Sequence, residues 1–161
     1  MAKQSLVERA RSAAGFGTKY KLGKGGFNPA SPHPWSSLGE CDCSGFIAWV
    51  LGISRHTDNP WYRKQNGGWL ETTAIVRDCG TPFGFFDKRE WTQARPGDLI
   101  VYGDSGGKQG HVGLITEVDA TGPVKAIHCS SGNSRGGDAI RETGVDIWKK
   151  RGGIVAAHVF V

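Results

Sequence analysis

An α+β fold, with helices first and an antiparallel β-sheet after them, is the architecture this sequence predicts, and three observations carry it. Apolar residues at helical spacing fall in the first half of the chain, short β-rich runs fill the second half, and Gly, Asp, Ser or Pro separates each run from the next. At 161 residues, with no internal repeat or linker, the chain reads as one domain spanning 1-161. Hydrophobic residues at 38% and six tryptophans argue against disorder, while 25 glycines imply many turns and few long helices.

Ser5 to Ala14 places Leu6, Val7, Ala10 and Ala14 at helical spacing, with Ser5 and Glu8 spaced as a capping box and Gly15 and Gly17 as stops. From Tyr20 to Gly39 the composition is that of a loop, with Pro29, Pro32 and Pro34. Its glycines are not a phosphate loop, because no Gly-Lys-Ser/Thr opens a helix after a strand. Cys43 to Leu51 reads as a buried helix with Cys43 at its N-terminus and Gly52 as its stop.

Residues 53–68, marked by Asn59-Pro60 and Asn66-Gly67-Gly68, read as a surface excursion, and Trp69 to Asp78 as a second amphipathic helix. Leu99 to Tyr102, His111 to Val118, Val124 to His128 and Ile154 to Val161 read as strands. Asp119-Ala120-Thr121-Gly122 is the turn that makes the second and third of these hairpin neighbours.

A net charge of +5 and a pI near 9.2 suit polyanionic surroundings, although solubility alone accounts for them. The basic residues are scattered, Lys149-Lys150-Arg151 being the densest run, and no nucleic-acid-binding signature accompanies them, so nucleic acid is not an expected partner. Met1 to Gly17 carries Arg9 and Arg11 where a signal peptide needs uninterrupted apolar residues, and no run reaches the ~20 residues of a membrane span. The expectation is a protein made in the cytoplasm without a signal peptide, for which any action outside the cell requires lysis or dedicated export.

Cys41, Cys43, Cys79 and Cys129 allow two disulfides or none. As zinc ligands they fit poorly, since Cys-x-Cys departs from the usual Cys-x₂-Cys pair, and neither a metal nor a cofactor is expected. Catalysis fits better. A helix N-terminus directs free amides and the positive end of its dipole at Cys43, which favours the thiolate, and the Cys43 amide is a candidate oxyanion donor. His111 opens an apolar strand and supplies a base, while His128, ending the next strand, is placed to orient it if the two strands pair as a hairpin. Taken singly, a cysteine is most often a core residue. His33 and His56 read as solvated, His158, alternating with Phe160, as structural, and the other cysteines as packing or disulfide residues.

Asp42-Cys43-Ser44-Gly45-Phe46, Arg95-Pro96-Gly97-Asp98-Leu99-Ile100 and His111-Val112-Gly113-Leu114-Ile115, in that order, resemble the NlpC/P60 cysteine peptidases. Tyr20 followed by Gly25-Gly26 resembles the family's approach to the nucleophile helix, so the likeness runs from Tyr20 to His128. It implies a circularly rearranged papain-like fold and a Cys43–His111–His128 triad. It also implies hydrolysis of amide bonds in peptidoglycan stem peptides, often beside D-glutamate and diaminopimelate, with Tyr20, Asp42 and Ser44 binding the substrate at a peptide amine. The purely structural roles of these three are helix capping for Asp42 and Ser44 and packing for Tyr20. The prolines between Tyr20 and Cys43, and the long aromatic segment from Trp61 to Trp69, depart from a minimal domain of this kind.

Two other readings compete: an intracellular cysteine amidase or acyltransferase on a non-wall substrate, and a non-catalytic cell-wall-binding module. A wall hydrolase without a signal peptide would act as a phage lysin or an injected antibacterial effector, with an immunity protein or export machinery as its partners.

Overall fold

The computed structural model describes residues 3–35 and 38–159, and the chain opens with helix α1 (Lys3–Ser12). Because α1 begins before Ser5, that residue sits inside its first turn and does not cap it. Leu6, Val7 and Ala10 are buried along the stripe their spacing defines. A parallel pair, β1 (Lys19–Tyr20) with β2 (Glu40–Cys41), closes the proline-bearing loop at its base.

Helix α2 (Cys43–Leu51) has the expected bounds, because both its signals are local. Asp42 caps it by accepting from the Gly45 amide at 2.8 Å, and Gly52, at φ +73°, ends it. All nine of its residues are buried, as a helix apolar on every side requires.

Helix α3 (Pro60–Asn66) occupies the stretch read as a surface excursion, and the residues that suggested a loop are its caps. Asn59 accepts from the Trp61 and Tyr62 amides, Pro60 opens the first turn, and Gly67 at φ +76° closes the last. Tyr62 is fully buried and donates to the Asp78 carboxylate at 2.5 Å. Helix α4 (Thr72–Asp78) starts after Trp69 because Glu71 caps it, accepting from the Thr73 and Ala74 amides.

The second half supplies β3 (Phe86–Arg89), β4 (Leu99–Tyr102), β5 (His111–Asp119), β6 (Gly122–Cys129), β7 (Ile140–Gly144) and β8 (Ile154–His158). They form one sheet in the order β3-β8-β4-β5-β6-β7, with every neighbouring pair antiparallel. The β5–β6 hairpin turns where expected, Asp119 pairing with Gly122. Strand β8 ends at His158; Phe160 and Val161, read as part of it, lie outside the described residues. The unexpected strands, β3 and β7, are the two edges, and their charged residues are what an exposed edge needs to resist pairing with another chain. Two short helices, α5 (Ser131–Arg135) and α6 (Asp146–Lys150), are too brief to show a periodicity.

Alternation divides the strands between the two faces of the sheet. Leu99, Val101, Val112, Leu114 and Ile127 pack with α1, α2 and α4, while Ile100, Tyr102, Ile115 and Ala126 pack around Trp148 of α6. Among the described residues no helix is long and apolar enough to cross a membrane.

Candidate active site

The N-terminal end of α2 is held by a backbone-on-backbone contact. A Cβ on Gly26, which sits at φ +76°, would collide with the Gly45 carbonyl, and a Cβ on Gly45 would come 2.7 Å from the Lys24 and Gly25 oxygens. Glycine at both positions therefore lets the loop before β2 lie directly on the first turn of α2.

Arg55 locks that arrangement. Its Nη1 donates to Asp42 Oδ1 at 2.8 Å and to the Lys24 carbonyl at 3.0 Å, and its Nη2 donates to Asp42 Oδ2 at 3.1 Å and to Ser44 Oγ at 3.2 Å. The ion pair is withdrawn from solvent, the two side chains being 3% and 2% exposed. The guanidinium also lies 5.1 Å from the Trp69 ring and 5.6 Å from the Phe27 ring. Nothing local in Ser54-Arg55-His56 singles this residue out.

Cys43, the first residue of α2, is buried. Burial first, and the Asp42 charge second, push its thiol up to about 12; the amides of Val112 and Ser44, hydrogen-bonding toward the sulfur, and the Arg55 charge act in the opposite direction. The Val112 amide places the sulfur at the start of β5, one residue from His111.

His111 Nε2 lies 2.7 Å from His128 Nδ1, and His128 Nε2 lies 2.8 Å from Thr143 Oγ1 on β7. With the Thr143 proton assigned to the Gly144 carbonyl, 2.9 Å from Oγ1, Thr143 accepts from His128 Nε2–H. His128 Nδ1 then accepts from His111 Nε2–H, which leaves the lone pair of neutral His111 on Nδ1. Burial, reinforced by His128, lowers the His111 pKa to about 3, and burial lowers that of His128 to about 4. Both imidazoles are therefore neutral near pH 7.

Trp148 frames the pair. Its ring stacks on His111 with centroids 5.2 Å apart, meets His128 edge-on at 5.0 Å, and its Nε1 donates to the His111 carbonyl at 3.3 Å. Gly113 makes the room: a Cβ there would come within 3.0 Å of the Trp148 ring and 3.3 Å of His128 Cβ.

Two adjoining hollows open on these groups. One, of about 360 Å³, is lined by Cys43, Asp42, Ser44, Arg55 and Trp69; the other, of about 390 Å³, by His111, His128, Ser130 and Ile147. Tyr20, Gln109 and Gly110 line both and join them into one groove. The residues expected at a site thus share that groove, Cys43, Asp42 and Ser44 on one side, His111 and His128 on the other, and Tyr20 between. Arg55, which lines the first hollow, and Thr143 and Trp148, which contact the histidine pair, were not foreseen.

The remaining candidates lie elsewhere. All four cysteines are free thiols, Cys41 and Cys129 fully buried and Cys79 half-buried. His33 stacks on Trp35 at 4.5 Å, and exposed His56 bonds the Gly67 carbonyl at 2.8 Å. Among the described residues no three His, Cys, Asp or Glu side chains are grouped to hold a metal ion.

Helices packed on an antiparallel sheet, with a cysteine opening the helix laid against it and a histidine pair on the adjoining strands, define a papain-like cysteine hydrolase of the peptidase and amidase class. Residues 33–133 match the CHAP domain family, and the chain belongs to that family. Its fold is shared with the crystal structure of the NlpC/p60 domain of peptidoglycan hydrolase SagA, at 21% identity and a TM-score of 0.52, over 99% of this chain and 100% of that one. The resemblance drawn from the Asp-Cys-Ser-Gly-Phe and His-Val-Gly-Leu-Ile motifs is borne out by these matches. Comparison with curated proteins gives no match.

Proposed function

We propose that this protein hydrolyses amide bonds in the stem peptides of peptidoglycan, at the bond between D-glutamate and diaminopimelate, with Cys43 as nucleophile, His111 as base and His128 as its orienting partner. The observation that carries this reading is the Nε2–Nδ1 hydrogen bond between His111 and His128, on a strand whose next amide, that of Val112, meets the Cys43 sulfur. Tyr20 and Ser44, which line the groove beside that sulfur, bind the substrate, while Asp42 forms the wall next to them with its carboxylate given to the Gly45 amide and Arg55.

In the first half-reaction the Cys43 proton passes to His111 Nδ1 as the sulfur attacks the amide carbonyl. The Cys43 amide, at the open end of α2, receives the developing oxyanion. His111 returns the proton to the departing amine and leaves a thioester on Cys43. Water, deprotonated by the same imidazole, attacks the thioester, releases the acid and regenerates the thiol. In this reading the wall is reached by lysis or by a dedicated export machine.

The test is digestion of purified sacculi, with new peptide ends assigned by mass spectrometry. Wild-type protein releases them and C43A does not. Untouched sacculi would move the chemistry to a non-wall substrate, and full activity of C43A would remove Cys43 as the nucleophile.

A further inference from the structure

A carboxylate in a groove beside a nucleophile ordinarily recruits a substrate ammonium, but that of Asp42 is already occupied. Oδ1 accepts from the Gly45 amide at 2.8 Å and from Arg55 Nη1 at 2.8 Å, with Ser44 Oγ at 3.5 Å. Oδ2 accepts from the Gly23 amide at 2.7 Å and from Arg55 Nη2 at 3.1 Å. The four closer donors match the roughly four acceptor positions of a carboxylate. Its charge is cancelled by a guanidinium that is buried, carried on a separate segment and seated against Trp69 and Phe27. Both members of the pair line the hollow that holds Cys43.

We infer that Arg55 is a specificity-determining residue: by saturating Asp42 it makes this wall of the groove electroneutral, so that the enzyme takes a peptide whose amino end is acylated as readily as one whose amino end is free. The inference rests on the reading of this groove as the amide-hydrolysing site. Removing the guanidinium charge would expose an uncompensated carboxylate, and the same wall would then select an ammonium. A purely structural role for Arg55 would instead weaken turnover of both peptides alike.

Two synthetic stem peptides test it, identical except that one carries a free amino terminus and the other an N-acetyl group, with kcat and KM measured for each on the purified protein. Wild type is expected to cleave both with kcat/KM within about threefold. In R55Q the free peptide gains over the acetylated one by roughly tenfold or more, chiefly through KM, as one new charge-assisted contact gives. R55K, which keeps the charge, retains the wild-type ratio. A wild-type preference of about tenfold for the free amine overturns the inference, and so does a folded R55Q with an unchanged ratio. The wild-type ratio decides alone if circular dichroism shows R55Q unfolded. Cleavage of both peptides in the wrong ratio sinks only the role of Arg55, whereas cleavage of neither sinks the reading beneath it as well.

Discussion

His128 receives its neighbour's proton-bearing nitrogen: His111 Nε2 lies 2.7 Å from His128 Nδ1, and the far side of the His128 ring is fixed at 2.8 Å by Thr143 Oγ1. Because the Thr143 proton goes to the Gly144 carbonyl, the whole relay runs one way and keeps Nδ1 of His111 free to act as a base. H128A is therefore expected to lower kcat by roughly 10²-fold with little change in KM, and T143V, which removes one neutral hydrogen bond, by about fivefold. Steady-state kinetics on a stem peptide measures both. A wild-type kcat in H128A would show that His111 needs no partner.

Cys43 and His111 are both neutral in the resting protein, since burial lifts the thiol to about 12 and depresses the imidazole to about 3. Alkylation by iodoacetamide, followed at Cys43 by peptide mapping, should then be slower at pH 7 than for a model thiol. It should rise about tenfold per pH unit between roughly 6 and 9 without an acid plateau. Working in a C79S background removes the half-buried competing thiol, Cys41 and Cys129 being fully buried. A rate plateau on the acid side would reveal a thiolate–imidazolium pair already formed before substrate arrives.

The parts of this protein that were legible in the sequence are those fixed by neighbours in the chain. Helix α2 declares itself through Asp42 before it and Gly52 after it, and the β5–β6 turn through Asp119 to Gly122. The order of Cys43, His111 and His128 was enough to nominate all three. Helix α3 was missed because Asn59-Pro60 and Gly67-Gly68 serve loops and helix caps equally well. The edge strands β3 and β7 were missed because edges favour charge over apolar alternation. Arg55 and Trp148 draw their importance from contacts 13 and 37 residues away in sequence, to Asp42 and His111, and no local pattern records such a distance.

The buried histidines make stability fall on the acid side. An unfolded histidine takes up its proton near pH 6.5, whereas folded His111 and His128 resist protonation down to about 3 and 4. Within that window the unfolded chain binds more protons, so unfolding becomes easier as pH drops, by about 1.4 kcal/mol per pH unit for each proton of difference. H128Q removes one of the two groups. Urea titrations at pH 7, 6, 5 and 4 should give a shallower loss for H128Q than for wild type. Parallel curves would mean that native His128 takes up its proton over the same pH range as it does in the unfolded chain.

Gly113 and Trp148 should behave as one unit. The methyl of G113A would stand 3.0 Å from the Trp148 ring and 3.3 Å from His128 Cβ, in a face that is already filled. Relief requires the indole or the imidazole to move, and overpacking of this kind costs about 1–3 kcal/mol. W148A empties the space instead, removing a fully buried indole together with its stack on His111, at about 3–5 kcal/mol. In the W148A background the alanine methyl at 113 meets a vacancy where the ring stood, so the second substitution should cost much less than it does alone. Urea unfolding of the two single variants and the double variant measures the coupling. Additive losses would mean that glycine is required at 113 for some reason other than room for the ring, and the histidine pair would then owe its placement to the strand backbone alone.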